Sequence, residues 1–355
     1  MTILHLLIGL DGGGAEHMVL ELANQSQKAG HKAIVVALSH RDLILHKFKE
    51  KKIDCYFINI TSLKSLFDGL KKLKQIHLTN GKEIIFHCHM FHGLFMGLMY
   101  KILVKNIPIT FTMHTNSVKQ LYRKIILFIS KPMRCADIIF SQNSKKWYLR
   151  NDCIIPNGVD LSKFTPIEKS NQLENTPFIF LFLGRLNTPK NPLFLIQLIQ
   201  ELVKRNHTNF LINIVGDGDL REKLEKAIDD NSVSQYIKLN GFKKDVSSFL
   251  THANCLIIPS LWEGMPVSII EAGASKLPVI STPVGSIPDF LNNDNAYLLE
   301  LTKFHEGMIS VMENYGKALE KGELLYKLVK SEYDIKKIAT EHMELYKNAM
   351  KRFKY

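Results

Sequence analysis

Short apolar runs, each closed by glycine, proline or polar residues, alternate along this chain with segments of helical spacing. The run Ile3–Ile8 predicts a buried strand, and Gly12-Gly13-Gly14 a loop. Met18, Val19, Leu22 and Ala23 form the apolar stripe of a helix over Ala15–Lys28, which Gly30 ends. Ala33–Leu38 predicts the next strand, so the opening reads as a parallel βαβ unit. Further strands are predicted at Cys55–Ile58, Ile84–Cys88, Ile109–Met113 and Ile138–Phe140, with helices over Leu63–Leu78 and Gly93–Val104. Periodicity fails from Asp160 to Pro177, a polar stretch that reads as an interdomain linker. The alternation then resumes, with strands Phe178–Leu183, Phe210–Val215, Tyr236–Leu239, Cys255–Pro259 and Pro278–Ser281. Helices are predicted near Pro192–Lys204 and at Leu220–Asp229 and Pro266–Lys276. Two α/β halves of similar size predict two doubly wound domains facing across a cleft. Ligands of such sheets lie beyond the carboxyl ends of the strands.

Four glycine-containing turns sit at those strand ends. Gly12-Gly13-Gly14-Ala15-Glu16 lets the backbone approach a ligand, yet it is neither a dinucleotide fingerprint nor a phosphate-binding P-loop. Gly184 to Pro192 carries Arg185 and Lys190, a fork and a point charge suited to a diphosphate; the bland reading is a solvated loop. Gly216-Asp217-Gly218-Asp219 superficially matches a D-x-D metal motif, but it is also good turn chemistry without any metal. Most informative is Glu263-Gly264-Met265-Pro266-Val267 running on to Glu271. Pro266 reads as the first helical residue. Glu263 then lies in the entry loop and Glu271 roughly 7–8 Å further along the helix axis, at opposite ends of an extended ligand.

Composition narrows the class. The chain has 355 residues, 46% hydrophobic and 23% charged, which excludes a disordered or collagen-like chain. Residues 1–170 hold 24 basic and 12 acidic side chains, whereas residues 171–355 hold 22 of each, so the net charge of +12 belongs to the first half. Such asymmetry points to an anionic partner for that half. Five widely spaced cysteines with no C-x-x-C suggest no disulfide scaffold or zinc site and fit a reducing cytoplasm. Ile3 to Gly9 has no basic flank or cleavage site and reads as a strand rather than a signal peptide. No apolar run is long enough to span a bilayer. Residues 119–134 mix Lys119, Arg123, Lys124, Lys131 and Arg134 with Leu121, Tyr122, Ile125, Ile126, Leu127, Phe128 and Ile129. This stretch is either a helix packed on the sheet or an interfacial helix on an anionic membrane; the excess charge favours the second.

One ordered set of motifs carries a resemblance: Gly-Gly-x-Glu after the first strand, Asn157-Gly158-Val159-Asp160, Gly184-Arg185 with Lys190-Asn191, Gly216-Asp217-Gly218, Gly241-Phe242 and Glu263-x7-Glu271. Over about residues 3–290 the chain resembles the retaining glycosyltransferase family 4, enzymes of the GT-B fold. The fold class implied is α/β, two Rossmann-like doubly wound domains. An acceptor-binding domain would span 1–165 and a nucleotide-sugar-binding domain 176–333, with a helix in 334–355 packing back on the first domain.

The resemblance implies the roles. Arg185 and Lys190 would hold the donor diphosphate in place of a metal ion, with Gly184 and Gly216 in the same pocket. Glu263 and the backbone of Gly264, Met265 and Val267 would contact sugar hydroxyls, and Glu271 the ribose. Gly241, Phe242 and Lys243 would border the base, and Gly13 and Gly14 would close over the phosphates. His114 matches a histidine near the donor sugar, and Arg185, Lys190, Glu263 and His114 form the implied catalytic set. His87, His89 and His92 superficially resemble zinc spacing, and an acceptor-side or structural role is preferred. Lys276 and Ser286 stand where the family commonly has glycine, so the helix before Lys276 is expected to end less sharply. The implied reaction moves a hexose or N-acetylhexosamine from a nucleotide-sugar, UDP favoured, to a saccharide or polyprenyl-diphosphate-linked acceptor. It needs neither a cofactor nor a metal. A nucleotide-sugar epimerase or hydrolase on the same fold is the alternative. A nucleic-acid-binding protein is disfavoured, because no nucleic-acid module is present.

Overall fold

The computed structural model describes residues 1–355 except Lys82, Asn116, Ser117, Thr165, residues 167–175 and Tyr355. The chain divides into two compact units, Met1–Gly158 with the residues from Ile335 onward, and Val159–Asp334. Most of the stretch read as a linker lies outside the described residues.

The first unit contains β1 (Thr2–Leu7), α1 (Gly14–Lys28), β2 (Lys32–Ala37), α2 (Leu45–Glu50), β3 (Asp54–Phe57), α3 (Leu63–Thr79), β4 (Ile84–His89), α4 (Met90–Leu103), β5 (Ile109–Thr112), α5 (Leu121–Ile129), β6 (Ala136–Ile139) and β7 (Cys153–Ile154). Its sheet is parallel in the order β3-β2-β1-β4-β5-β6-β7. The second unit contains β8 (Phe178–Leu183), α6 (Phe194–Lys204), β9 (Phe210–Val215), α7 (Arg221–Asp230), β10 (Ile237–Leu239), α8 (Ser247–His252), β11 (Cys255–Ile258), α9 (Val267–Ala274), β12 (Val279–Ser281), β13 (Tyr297–Leu298), α10 (Phe304–Glu313) and α11 (Tyr315–Glu332). Its parallel sheet runs β10-β9-β8-β11-β12-β13. Both sheets wind outward in two directions from a central pair, β1/β4 and β8/β11. Those are the switch points where such sheets open a crevice at their carboxyl edge.

The last helix, α12 (Ile335–Lys354), packs on the first unit through Ile335, Ile338 and Ala339 against Met18, Leu22, Ile138 and Ile155. Further along it, Met343, Tyr346 and Ala349 pack against Ile3 and Ile85. Residues 119–134 do not form one helix. After α5 the chain makes a short 3-10 turn at Lys131–Met133, and Arg134 is buried. Arg134 pairs in fork geometry with Asp137 at 2.6 and 2.7 Å and also donates to the Leu127 carbonyl and to Ser130, so it leaves the basic surface. Of the apolar side chains of α5, Leu127 is buried in the core of the first unit, while Leu121, Tyr122, Ile125, Phe128 and Ile129 are exposed.

α9 ends sharply, contrary to expectation. Lys276 takes the left-handed conformation (φ 56°), and two capping bonds close the turn, Lys276 N–H to Gly273 O and Leu277 N–H to Ala272 O. Its ammonium is held by Glu323 at 2.8 Å over the Tyr326 ring.

The central strands of the first sheet carry polar residues on one face. His5 on β1 lies in register with His87 on β4, and His89 with Thr112 on β5. His5, His87, His89 and Thr112 are all buried, beneath α12, which adds His342 and Tyr346. Burial lowers the basicity of each imidazole: His342 falls to about 4 although its bond to the Ile338 carbonyl opposes the shift, and neighbouring histidines lower the others further, His5 and His114 to about 3 and His87 and His89 well below 6.5.

Two expectations follow. The histidines are neutral when folded and take up protons on unfolding below pH 6.5, so their contribution is complete above that pH and is lost as pH falls towards about 4. The slope is about 1.4 kcal/mol per pH unit for each of them. Urea midpoints should therefore drop between pH 7 and pH 5, and less so in His342→Leu; equal midpoints at both pH values would contradict the burial. In Lys276→Gly, relief of the left-handed strain should outweigh a half-exposed ion pair by roughly 0.5 kcal/mol. A higher melting temperature is expected, and a lower one would show the Glu323 contact to be the larger effect.

Candidate active site

In the second unit the loops at the carboxyl edge are bonded to one another. After β8, Asn187 caps a 3-10 turn over Thr188–Lys190, accepting from the Lys190 N–H at 3.4 Å. Asn191 follows in the left-handed conformation and donates its side-chain amide to the Pro259 carbonyl beyond β11. Leu261 N–H returns a bond to the Pro189 carbonyl at 2.8 Å. These bonds join the loops on either side of the switch point and bring Lys190 to Glu263, Nζ to Oε1 at 2.6 Å. The same carboxylate oxygen accepts from Ser260 Oγ at 2.6 Å. Glu263 is buried, Lys190 half-buried and Arg185, on the same loop, exposed. Glu263 is therefore not a free carboxylate waiting for sugar hydroxyls: it also aims the lysine.

Gly216 has φ 149° and lies so close that a Cβ would strike the Gly184 carbonyl, so only glycine fits this junction of the β8 and β9 loops. Its N–H donates to Gly241 O, which extends the chain of loops to β10. Phe242 and Lys243 follow, both exposed. Asp217 caps the Gly218 N–H at 2.8 Å and pairs with Arg221 at 3.2 Å, so its carboxylate is engaged within the turn. Pro266 is the residue before α9 rather than its first, and Glu271 is the fifth residue of that helix, half-buried. Gly264, Met265 and Val267 lie in the loop and first turn between them. Ser286 explains its own departure from glycine, because its hydroxyl and its N–H both bond the Gly264 carbonyl and tie down the loop that carries Glu263. The Thr282 hydroxyl donates to the Ser260 carbonyl at 2.6 Å. Ser260 and Thr282 escaped sequence reading because isolated hydroxyls in a loop carry no pattern.

In the first unit Gly13 caps α1 and Gly14 opens it, at the carboxyl end of β1 beside the switch point. His114 stands two residues past β5, left-handed (φ 54°) and half-buried. Its Nε2 lies 2.9 Å from His89 Nδ1, and His89 Nε2 lies 3.0 Å from His5 Nδ1. His87 is held by Tyr346 Oη at 2.6 Å and Thr112 Oγ1 at 2.8 Å. His92 is exposed on α4 and stands apart from this group; His5 takes the place that sequence spacing assigned to it. Ring nitrogens of His5, His87 and His89 come within 4.8 Å of one another, close enough for a metal ion. Such an ion would have to displace one of the two bonds of His89 and one of the two bonds that hold His87, whereas His5 Nε2 has no partner among the described residues. His5 was missed by sequence reasoning, although a histidine inside an otherwise apolar strand was its visible signal.

A model of glycosyl transferases group 1 matches residues 163–324, and one of Glycosyltransferase Family 4 matches residues 12–163. The Escherichia coli UDP-Gal:alpha-D-GlcNAc-diphosphoundecaprenol alpha-1,3-galactosyltransferase is 28% identical over 264 residues, 67% of this chain and 68% of that protein. The Staphylococcus aureus capsular polysaccharide biosynthesis glycosyltransferase CapH is 24% identical over 320 residues, 85% of this chain and 87% of that protein. Among solved structures, Anabaena HepE in complex with UDP and glucose superposes with a TM-score of 0.83 at 16% identity, covering 97% of this chain and 98% of that one, a likeness of fold. With both halves matched by glycosyltransferase families and each folded as a parallel Rossmann-like sheet, the chain is a glycosyltransferase of the GT-B fold.

Proposed function

We propose that the chain transfers a hexose or N-acetylhexosamine from a UDP-sugar to a saccharide or polyprenyl-diphosphate-linked acceptor, with retention at the anomeric carbon and without a metal ion, in bacterial surface polysaccharide synthesis at the cytoplasmic face of a membrane. The observation that carries the reading is the Lys190–Glu263 contact at the switch point, with Arg185 on the same loop. Two cations at a strand's carboxyl end suit a departing diphosphate. An ammonium has three donors, so Lys190 can keep Glu263 and still bond a phosphate oxygen. The activities named for the relatives, a UDP-galactose donor with a diphosphoundecaprenol acceptor and a capsular polysaccharide, support the choice of donor and acceptor class.

Chemically, the acceptor hydroxyl oxygen bonds the anomeric carbon on the face from which the diphosphate leaves. The sugar–oxygen bond of the donor breaks, and the hydroxyl proton passes to the departing diphosphate oxygen. No side chain need act as nucleophile; catalysis rests on positioning and on charge placed where it develops. His114 would border the sugar, Glu271 the ribose, Phe242 and Lys243 the base, and Gly13 and Gly14 the phosphates.

The basic half offers a surface for the acceptor's membrane. On α5, Leu121, Tyr122, Ile125, Phe128 and Ile129 are exposed, joined by Trp147 with its ring 5.5 Å from Phe128. Lys119, Arg123, Lys124 and Lys131 flank them. An exposed apolar face with a basic rim fits the headgroup region of an anionic bilayer. Among the described residues no helix is long and apolar enough to cross a membrane.

Two experiments test this reading. Arg185→Ala and Lys190→Ala should each lower turnover with UDP-sugar by about 10²-fold while the protein stays folded; near-normal turnover in both would refute the assignment. In sedimentation with anionic vesicles at low salt the protein should pellet, and it should pellet less as salt rises. Lys124→Ala should weaken binding about fivefold, near 1 kcal/mol for one cation at the surface, and equal partition to neutral vesicles would defeat the membrane contact.

A further inference from the structure

His114, His89 and His5 are joined head to tail, Nε2 to Nδ1 at 2.9 Å and Nε2 to Nδ1 at 3.0 Å. A neutral imidazole carries one N–H, so one ring nitrogen donates and the other accepts. Burial keeps these rings neutral near pH 7. If the proton of His89 is on Nδ1, it donates to His114 Nε2, and His5 must donate to it from Nδ1. If the proton is on Nε2, His89 donates to His5 and must receive from His114 Nε2. Only two arrangements satisfy both bonds: all three protons on Nδ1, or all three on Nε2. The His5 end blocks easy exchange between them. His5 Nε2 is buried and has no hydrogen-bond partner among the described residues, so no proton enters or leaves there.

The surroundings oppose a charge on His114. The groups that face the chain are His87 from β4 and His342 and Tyr346 from α12, while α1 contributes Met18 and Leu22. Among the described residues, no carboxylate and no lysine or arginine lines the enclosed volume between them. The proton of His342 is itself placed, because its Nδ1 donates to the Ile338 carbonyl at 2.9 Å. An imidazolium there would have only neutral groups for neighbours, the Asn157 amide and the Phe140 ring among them, and no counter-ion among the described residues.

We propose that His89 and His5 are positioning residues that lock the tautomer of His114, so that His114 meets the donor sugar as a neutral group of fixed donor–acceptor polarity and exchanges no proton during transfer. The inference rests on the reading that His114 borders that sugar. Reversing its polarity requires three coupled proton shifts and a proton delivered to, or removed from, the enclosed His5 nitrogen. The polar face of the central strands then orients one catalytic ring from behind.

Long-range ¹H–¹⁵N correlation spectra of the uniformly labelled protein report which ring nitrogen of each histidine is protonated. The expected result is that His5, His89 and His114 carry the proton on the same nitrogen, with no averaging at His114 between pH 6 and pH 8. Different tautomers within the trio, or an imidazolium in it at pH 7, would overturn the lock. In His89→Phe the His114 signals should average between tautomers, and turnover with UDP-sugar should fall about tenfold, the size of one misdirected hydrogen bond. A shared tautomer in the native protein with unaltered turnover in a folded His89→Phe would overturn the positioning role and return the fault to the assignment of His114. The spectra need no activity, so that failure is distinguishable from failure of the lock.

Discussion

The contact between Lys190 and Glu263 depends on a topological fact, that β8 and β11 are neighbours although separated by two strands in sequence. Their loops diverge into helices that leave the sheet in opposite directions, and the crevice between them is where two charged side chains can meet without a covering helix. At 2.6 Å the pair is short, and its surroundings are partly dry, so each charge fixes the other. Ser260 holds the carboxylate from one side, while Ser286 and Thr282 hold the backbone that carries it. A phosphate bound at Lys190, as proposed, would find the ammonium already aimed, with the reorganisation that would otherwise oppose binding done in folding.

The same principle takes another form in the first unit. Strands at the centre of a parallel sheet ordinarily read as continuous apolar runs, because both faces are covered. Here one face of β1, β4 and β5 obeys the rule with Leu4, Leu6, Phe86, Cys88 and Phe111, and the other breaks it with His5, His87, His89, Thr110 and Thr112. Each polar group placed there is desolvated, and most recover the loss through side-chain hydrogen bonds. Sheets that break a packing rule at the switch point commonly do so for a site, since local consistency is what folding alone would select.

Much of this was legible in the chain. The strands were readable because parallel strands concentrate β-branched and aromatic residues between turn formers, so Phe178–Leu183 and Phe210–Val215 stand out without help. The charged residues of the second unit were readable because they cluster in glycine-bounded loops. Helix ends were less so: Lys276 ends α9 in a conformation that its side chain disfavours, held by an ion pair with Glu323 that sequence separation conceals. Short elements such as β7, β13 and α8 draw their stability from neighbours rather than from propensity. His5 and His342, 337 positions apart, are neighbours of one histidine cluster only once β1 and α12 are packed. Ser260, Thr282 and Ser286 act through single hydrogen bonds, which have no periodicity to betray them.

The outward apolar face of α5 needs a reason to stay outward, and Arg134 supplies it. A fully buried ion pair is seldom the most stable solution, since apolar residues of equal volume would pack as well without desolvating two charges. Arg134 does what an apolar residue would not: its guanidinium bonds Asp137 with two nitrogens and with the third reaches the Leu127 carbonyl and the Ser130 hydroxyl at the end of α5. Those are directional contacts, and they fix the rotation of the helix about its own axis. The buried cation therefore helps to fix which face of α5 is turned inward, with Leu127 in the core and Ile125, Phe128 and Ile129 outward, and it ties that helix to β6 through Asp137.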